Sequence, residues 1–164
     1  MSTKEKDVIS IIPMSDVYVD DVIAVYNKLR AVRSVDTKYR RPTVDQDILT
    51  EEQITSTNLG GSLDLSFIYK VNDNVVGFIW GRLAYVGIPV QLVGFIHMII
   101  VDPDLQRKGV ARELINAVAL RCGEEGVDTI RTVVGERDWD LSNFLSEVGF
   151  QDSGLVIYTR TVQS

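Results

Sequence analysis

The chain is short of the residues that several common functions require. It contains one cysteine, Cys122, and one histidine, His97, among 164 residues. A lone cysteine closes no internal disulfide, which excludes the framework of a small secreted domain and leads us to expect a reducing, cytoplasmic setting. No metal site is read from so sparse a set of ligands. Basic residues are outnumbered, 17 Lys and Arg against 23 Asp and Glu, for a net charge of −6. Nucleic-acid grooves depend on clustered Lys and Arg, so no nucleic-acid partner is expected and any anion site must be local. No apolar run reaches the roughly 20 residues of a membrane span, and the start "MSTKEKDVIS" has no apolar core of signal-peptide length. No membrane partner is expected. Two phosphate motifs are also missing: there is no G-x-x-x-x-G-K-[ST], and no G-x-G-x-x-G follows a strand.

What remains is 45% hydrophobic and 24% charged, the profile of a globular protein, and long enough for one domain over residues 1–164 with a real core. "DVISIIPM" reads as a first strand closed by Pro13. Ser15 or Asp16 is placed to cap a helix through about Arg33, with Val22, Val25, Tyr26, Leu29 and Val32 on one face. "RRPTVDQDILTEEQITSTNLGG" is polar and interrupted, and is read as short helix and loop. "LSFIYKV", the turn "NDN" and "VVGFIWGRLAYV" form an antiparallel hairpin, and Gly87 to Pro89 make another turn. "VQLVGFIHMIIV" is almost unbroken in apolar character, as a strand buried on both faces would be. A helix from about Gly109 to Cys122, a strand "TIRTVVG", a helix "LSNFLSEV" and a last strand "LVIYTRTV" complete a mixed α/β domain.

The stretch "VDPDLQRKGVARELI" places Arg107, Lys108 and Gly109 where a strand has ended and a helix begins. The first turn of a helix exposes N–H groups without internal partners, and the dipole adds partial positive charge. Glycine lets an anion approach the backbone without meeting a Cβ. Gly109 and the small Ala111 therefore suit a phosphate cradle, with Arg107, Lys108 and Arg112 supplying charge. On these grounds alone, Gly109 merely starting a helix beside solvated cations stands as an equal alternative.

The spacing Gln106-x-x-Gly109-x-Ala111 behind "VDP", with "Glu147-Val148-Gly149-Phe150" later, resembles the GNAT superfamily of N-acetyltransferases, over roughly residues 95 to 150. The resemblance implies a mixed, mostly antiparallel central sheet flanked by helices, with acetyl-CoA as cosubstrate. It implies that backbone groups of Gln106, Arg107, Lys108, Gly109, Val110 and Ala111 hold the pyrophosphate. It also implies that the pantetheine arm lies along the strand end, with the Ile99 N–H facing the thioester carbonyl and Val101 meeting the arm's amides. A strand edge with unpaired N–H and C=O groups can satisfy such an extended ligand, and an N–H aimed at the thioester oxygen stabilises developing negative charge.

A primary amine with a pKa near 10.4 is mostly protonated at pH 7, so a base is useful. His97 interrupts the apolar run two positions before Ile99. In a regular pleat the two would share a face, roughly 6.5–7 Å apart, within reach of one water. The resemblance supports His97 as base, since many members carry Glu or His there; a buried histidine held by a carbonyl is the alternative. Leu145 stands where the family usually has a tyrosine acid, and Asp138 where it usually has Asn, which leaves the acid unassigned. Leu141, Phe144, Leu145 and Val148 follow helical spacing and read as core, as does Cys122. Trp80, Arg82 and Tyr85 on the preceding strand could line an acceptor pocket, but alternation puts only some of them inward, and ordinary sheet packing is the reading preferred. The expectation is direct acetyl transfer to a primary amine of a small molecule or peptide, with a homodimer left open. A non-catalytic acyl-CoA-binding regulatory module is the main alternative, and an interaction module using an exposed sheet edge is a third.

Overall fold

The computed structural model describes residues 4–35 and 64–163. Five strands form one sheet in the order β1 (Ile9–Pro13), β2 (Phe67–Val71), β3 (Asn74–Val86), β4 (Gln91–Val101) and β5 (Ile130–Thr132). The first four are mutually antiparallel, and β5 joins β4 in parallel. Helix α1 (Val19–Val35) covers one face; α2 (Val110–Glu124) and α3 (Trp139–Glu147) lie on the other. This is the mixed, mostly antiparallel sheet flanked by helices that the sequence led us to expect.

The β2–β3 hairpin turns through Asn72 and Asp73, with Asn72 at φ 55°, a left-handed conformation that asparagine tolerates. Its side chain ties the turn to the start of the sheet, accepting from the Val8 N–H at 3.1 Å. On the α1 side, Val22, Val25 and Leu29 pack with Ile68, Phe78 and Ile100. On the other, Leu114, Val118 and Leu145 pack with Ile79 and Ile96. Two glycines permit the α2 contact. A Cβ at Gly77 would lie 2.8 Å from Val110 Cγ1, and one at Gly94 would lie 2.5 Å from Cys122 Sγ.

Several expectations need correction. Ser15 makes no side-chain cap; Asp16–Tyr18 form a 3₁₀ turn first, so α1 starts at Val19. Val32 is half exposed rather than part of the buried stripe, being near the end of α1 and beyond the sheet. The strand expected over "TIRTVVG" shrinks to Ile130–Thr132. "LVIYTRTV" forms no strand: Val156, Ile157, Tyr158 and Val162 are all exposed. The segment pairs with none of the five strands, and strand-forming composition without pairing makes no strand. The stretch "RRPTVDQDILTEEQITSTNLGG" lies outside the described residues.

Candidate active site

The sequence-derived picture of His97 assumed a regular pleat, and the pairing of β3 with β4 shows otherwise. Trp80 faces Met98 while its neighbour Gly81 faces Ile96, so His97 is one extra residue on β4. This is a β-bulge, and it shifts the alternation by one. Met98 and Ile100 pack on the α1 side, and Ile96 and Ile99 pack on the α2 side. His97 therefore does not share a face with Ile99. It stands on the α1 side, stacked on Trp80 with centroids 4.6 Å apart, and tilted against Phe95 at 5.0 Å. The residue keeps an exposed edge although Trp80 shields one ring face. That burial chiefly, and the charge of Arg82 second, hold the imidazole below its ordinary pKa, so it is neutral at pH 7.

Beyond the bulge, β4 has no second strand partner among the described residues. Pairing with β5 ends at Ile96 and Thr132, where the Thr132 hydroxyl donates to the Ile96 carbonyl at 2.9 Å. At the other end, the Asp102 N–H donates to the Val76 carbonyl at 2.8 Å. Successive residues of a strand direct their polar groups to opposite sides. Asp102 and Ile100 thus point theirs at β3, and Ile99 and Val101 point theirs at the open side. The α2-side and α1-side side chains lie above and below this edge, while its N–H and C=O groups lie in the sheet plane. His97 flanks that plane from one face, so the bulge changes its side without removing it from the edge.

The chain then turns through Pro103–Leu105, with the Asp102 carboxylate accepting from the Asp104 N–H at 2.9 Å. Lys28 of α1 reaches across to Asp102 at 2.9 Å and Asp104 at 2.8 Å. Burial raises the Asp102 carboxyl pKa, but hydrogen bonds from Lys28 and from the Asp104 N–H outweigh it and hold it low. Gln106 to Gly109 are exposed, Arg107 at φ 65° and Gly109 at φ 85°. The first helical bond of α2 runs from the Glu113 N–H to the Gly109 carbonyl at 3.0 Å. Gly109 supplies no side-chain cap, and the N–H groups of Val110, Ala111 and Arg112, which have no partner inside the helix, face the loop. The Val110 side chain is buried and pins the helix start to β3.

Other candidates fall to packing. Leu145 is in the core, and the Asp138 carboxylate caps α3, accepting from the Leu141 N–H at 3.2 Å. Cys122 is buried, and burial raises its thiol pKa, which makes it inert. An open hollow of about 430 Å³ lined by Ile11, Phe67, Glu113 and Leu120 lies between α2 and the first strands, on the opposite face from His97. Of the three residues weighed between pocket lining and sheet packing, Trp80 stacks on His97 and Arg82 places its charge near it. Their only signal in the sequence was a two-residue spacing that puts both on one strand face. Tyr85, by contrast, is exposed.

Residues 26–150, more than half of the chain, match the Acetyltransferase (GNAT) family. The chain belongs to the GNAT acetyltransferase family. It is accordingly an N-acetyltransferase whose cosubstrate is acetyl-CoA. Among solved structures, this GNAT chain is similar to the aminoglycoside N-acetyltransferase AAC(6')-Iy in complex with CoA, at TM-score 0.69 and 19% identity over 98% of this chain and 99% of that one. It is similar to the apo aminoglycoside 6'-N-acetyltransferase AAC(6')-IG from Acinetobacter haemolyticus, at TM-score 0.71 and 16% identity over 94% and 99%. A transcriptional regulator from Bacillus halodurans C-125 also shares the fold, at TM-score 0.67 and 11% identity over 94% and 100%. Compared by sequence with curated proteins, the chain matches none. Among the described residues, no helix is long and apolar enough to cross a membrane.

Proposed function

We propose that this GNAT protein acts as one cytoplasmic domain over residues 1–164, acetylating a small-molecule primary amine directly, with His97 as general base. The observation that carries the reading is a coincidence along one stretch of chain. A neutral histidine on a bulge, an unpaired strand edge and an uncapped helix start follow one another between residues 97 and 111. Ile99 and Val101 offer the edge donors and acceptors that would hold the pantetheine amides. Gln106 to Ala111 would hold the pyrophosphate through backbone N–H groups, with Arg107 and Lys108 adding charge. Bound acetyl-CoA supplies an acetyl thioester, whose carbonyl carbon bonds to the amine nitrogen as the carbon–sulfur bond breaks, and CoA leaves as the thiolate, which takes up a proton from solvent.

The chain's own work is to orient and to move a proton. Freeing an amine of pKa ~10.4 at pH 7 costs about 4.6 kcal/mol, from roughly 3.4 pK units. His97, already neutral, accepts that proton directly or through one water. The Ile99 N–H, fixed by the β3–β4 ladder, points where negative charge develops. No acid is needed on energetic grounds, since a thiol of pKa about 8.5 leaves only ~2 kcal/mol uphill as thiolate at pH 7. A small-molecule acceptor accords with the aminoglycoside enzymes among its structural neighbours, and a cytoplasmic setting with its single buried thiol.

The burial of Leu145 where a tyrosine is usual favours one second reading, an acyl-CoA-binding regulatory module. Thiol release from acetyl-CoA, measured across an amine panel, separates the two. Amine-stimulated release supports the enzyme. Micromolar acetyl-CoA binding with no release for any amine supports the module.

A further inference from the structure

We infer that the acceptor carries an anionic group, a carboxylate or phosphate, a few bonds from its amine, and that Arg82 binds it. The inference rests on the reading of His97 as the acceptor-side base. Arg82 follows Trp80 by two residues on β3 and therefore shares its face, the α1 side on which His97 stands. It is paired across the sheet with Phe95, the second ring against His97. Diagonal positions of this kind lie roughly 7–8 Å apart, which a guanidinium on a long side chain spans easily. Arg82 and His97 thus border one aromatic-walled patch at the bulge.

Arg82 is half-buried there, and no carboxylate among the described residues forms an ion pair with it. Asp64 bridges the Arg82 backbone, but its Oδ1 accepts from the Ser66 N–H at 2.9 Å. A guanidinium offers five donors and no acceptor, so it binds carboxylate or phosphate in a forked geometry. The Trp80 indole N–H, buried behind the stacked rings, also has no partner among the described residues. Donors without acceptors define a patch that lacks what an anion supplies. A second ammonium on the acceptor would instead meet like charge beside the base. The sequence is acidic overall, but the charge next to the reacting centre is positive.

The test uses the full chain, acetyl-CoA and matched acceptors: glycine and glycinamide, 4-aminobutyrate and its amide, phosphoethanolamine and ethanolamine, and sisomicin as a polycation. The anionic members should be preferred in kcat/KM. Arg82→Gln should raise KM for them about 10–100-fold more than for the neutral members, the range of one charged hydrogen-bonding contact, and leave the KM of acetyl-CoA within about threefold. Comparing variant with wild type cancels the differences in amine basicity. Arg82→Lys should keep part of the preference, and Arg82→Glu should move it toward sisomicin; thermal melting checks folding. The carboxylate and phosphate arms decide which anion fits. Wild type preferring neutral or cationic amines, with Arg82→Gln affecting all alike, would overturn the inference while leaving acetyl transfer intact. If no amine is acetylated, the enzyme reading fails, and calorimetry of these amines into CoA-bound protein decides the rest. Arg82-dependent binding of the anionic members sustains the site, and its absence sinks it.

Discussion

Along β4, Gly94 to Ile96 pair with β3 on one side and β5 on the other, whereas Met98 to Val101 pair, among the described residues, with β3 alone. Both halves are apolar, and only one residue separates them. That residue is the bulged His97. Doubly paired, the first half has every backbone group satisfied and serves as structure. Singly paired, the second half has groups to offer, and the helix start beyond it has more. A ligand can be held by backbone only where the fold leaves backbone unspent. The bulge also re-aims a side chain at the point where pairing ends, a placement common beside active sites.

Removing the base attacks the site half alone and should have the largest effect. His97→Gln is expected to lower kcat/KM by about 10²–10⁴ with acetyl-CoA affinity unchanged. Because burial and Arg82 lower its pKa, wild-type His97 gains a proton only below its ordinary value of 6.5. The acidic limb of the pH–rate profile should therefore fall below pH 6.5 and vanish in the variant. Equal activity of both proteins across pH 6–9 would reduce His97 to a stacking partner of Trp80.

The helix start comes next. A Cβ at Gly109 meets nothing within 4 Å, so Gly109→Glu does not fail by collision with the protein. It fails by charge and by conformation: φ 85° is left-handed, costing a non-glycine residue roughly 1–2 kcal/mol, and a carboxylate then faces the phosphates. CoA affinity should drop by about 100-fold or more, as two like charges lose a site built for opposite ones. Calorimetry showing wild-type affinity in a folded variant would remove the loop from the cofactor site.

How much of this was legible beforehand divides along the same line. The strands, the hairpin and α2 follow from apolar periodicity and turn residues, and the loop from its glycine and cations. The bulge does not. Inserting one residue into "GFIHMIIV" leaves the run equally apolar, so no pattern marks where the alternation slips, and His97 was assigned to the wrong face. The choice between pocket and packing for Arg82 stays open in the sequence for the same reason: its neighbours across the sheet depend on register, which only the fold supplies. "LVIYTRTV" errs in the opposite sense, because its composition suits a strand but the segment pairs with none of the five. Val32 fits the periodicity of α1, but periodicity does not say where the sheet beneath the helix ends.

The doubly paired half can be stressed without touching chemistry. In Gly94→Ala the new Cβ would lie 2.5 Å from Cys122 Sγ and 3.1 Å from Leu65 Cδ1. Overpacking of this kind costs about 1–3 kcal/mol, and each kcal/mol lowers Tm by roughly 2–4 °C at this size. Activity per folded molecule should hold at room temperature. Adding Cys122→Ala should recover part of the lost Tm. If the second change recovers none, the contact between β4 and α2 is not what Gly94 protects.

The smallest effect is expected where the two halves of the molecule are tied across solvent. Lys28 joins α1 to the turn after β4 through Asp102 and Asp104, and its side chain is about half exposed at 47%. Hydrogen bonds to Asp104 and Asp102 raise the Lys28 pKa, so its share of the tie is present below its ordinary 10.5 and is lost as pH rises through the higher folded value. The folded pKa of Asp102 is lowered instead, so its share is present above its ordinary 3.8 and is lost as pH falls through the lower folded value. Between those limits both charges persist, and the tie holds the turn that delivers Arg107 to Gly109 to the helix start. Exposed pairs contribute little and are screened by salt. Lys28→Met should therefore weaken acetyl-CoA binding by about fivefold or less near pH 7, with kcat unchanged and the difference shrinking at high salt. A loss of 100-fold, or one that salt does not diminish, would mean that Lys28 touches the ligand itself.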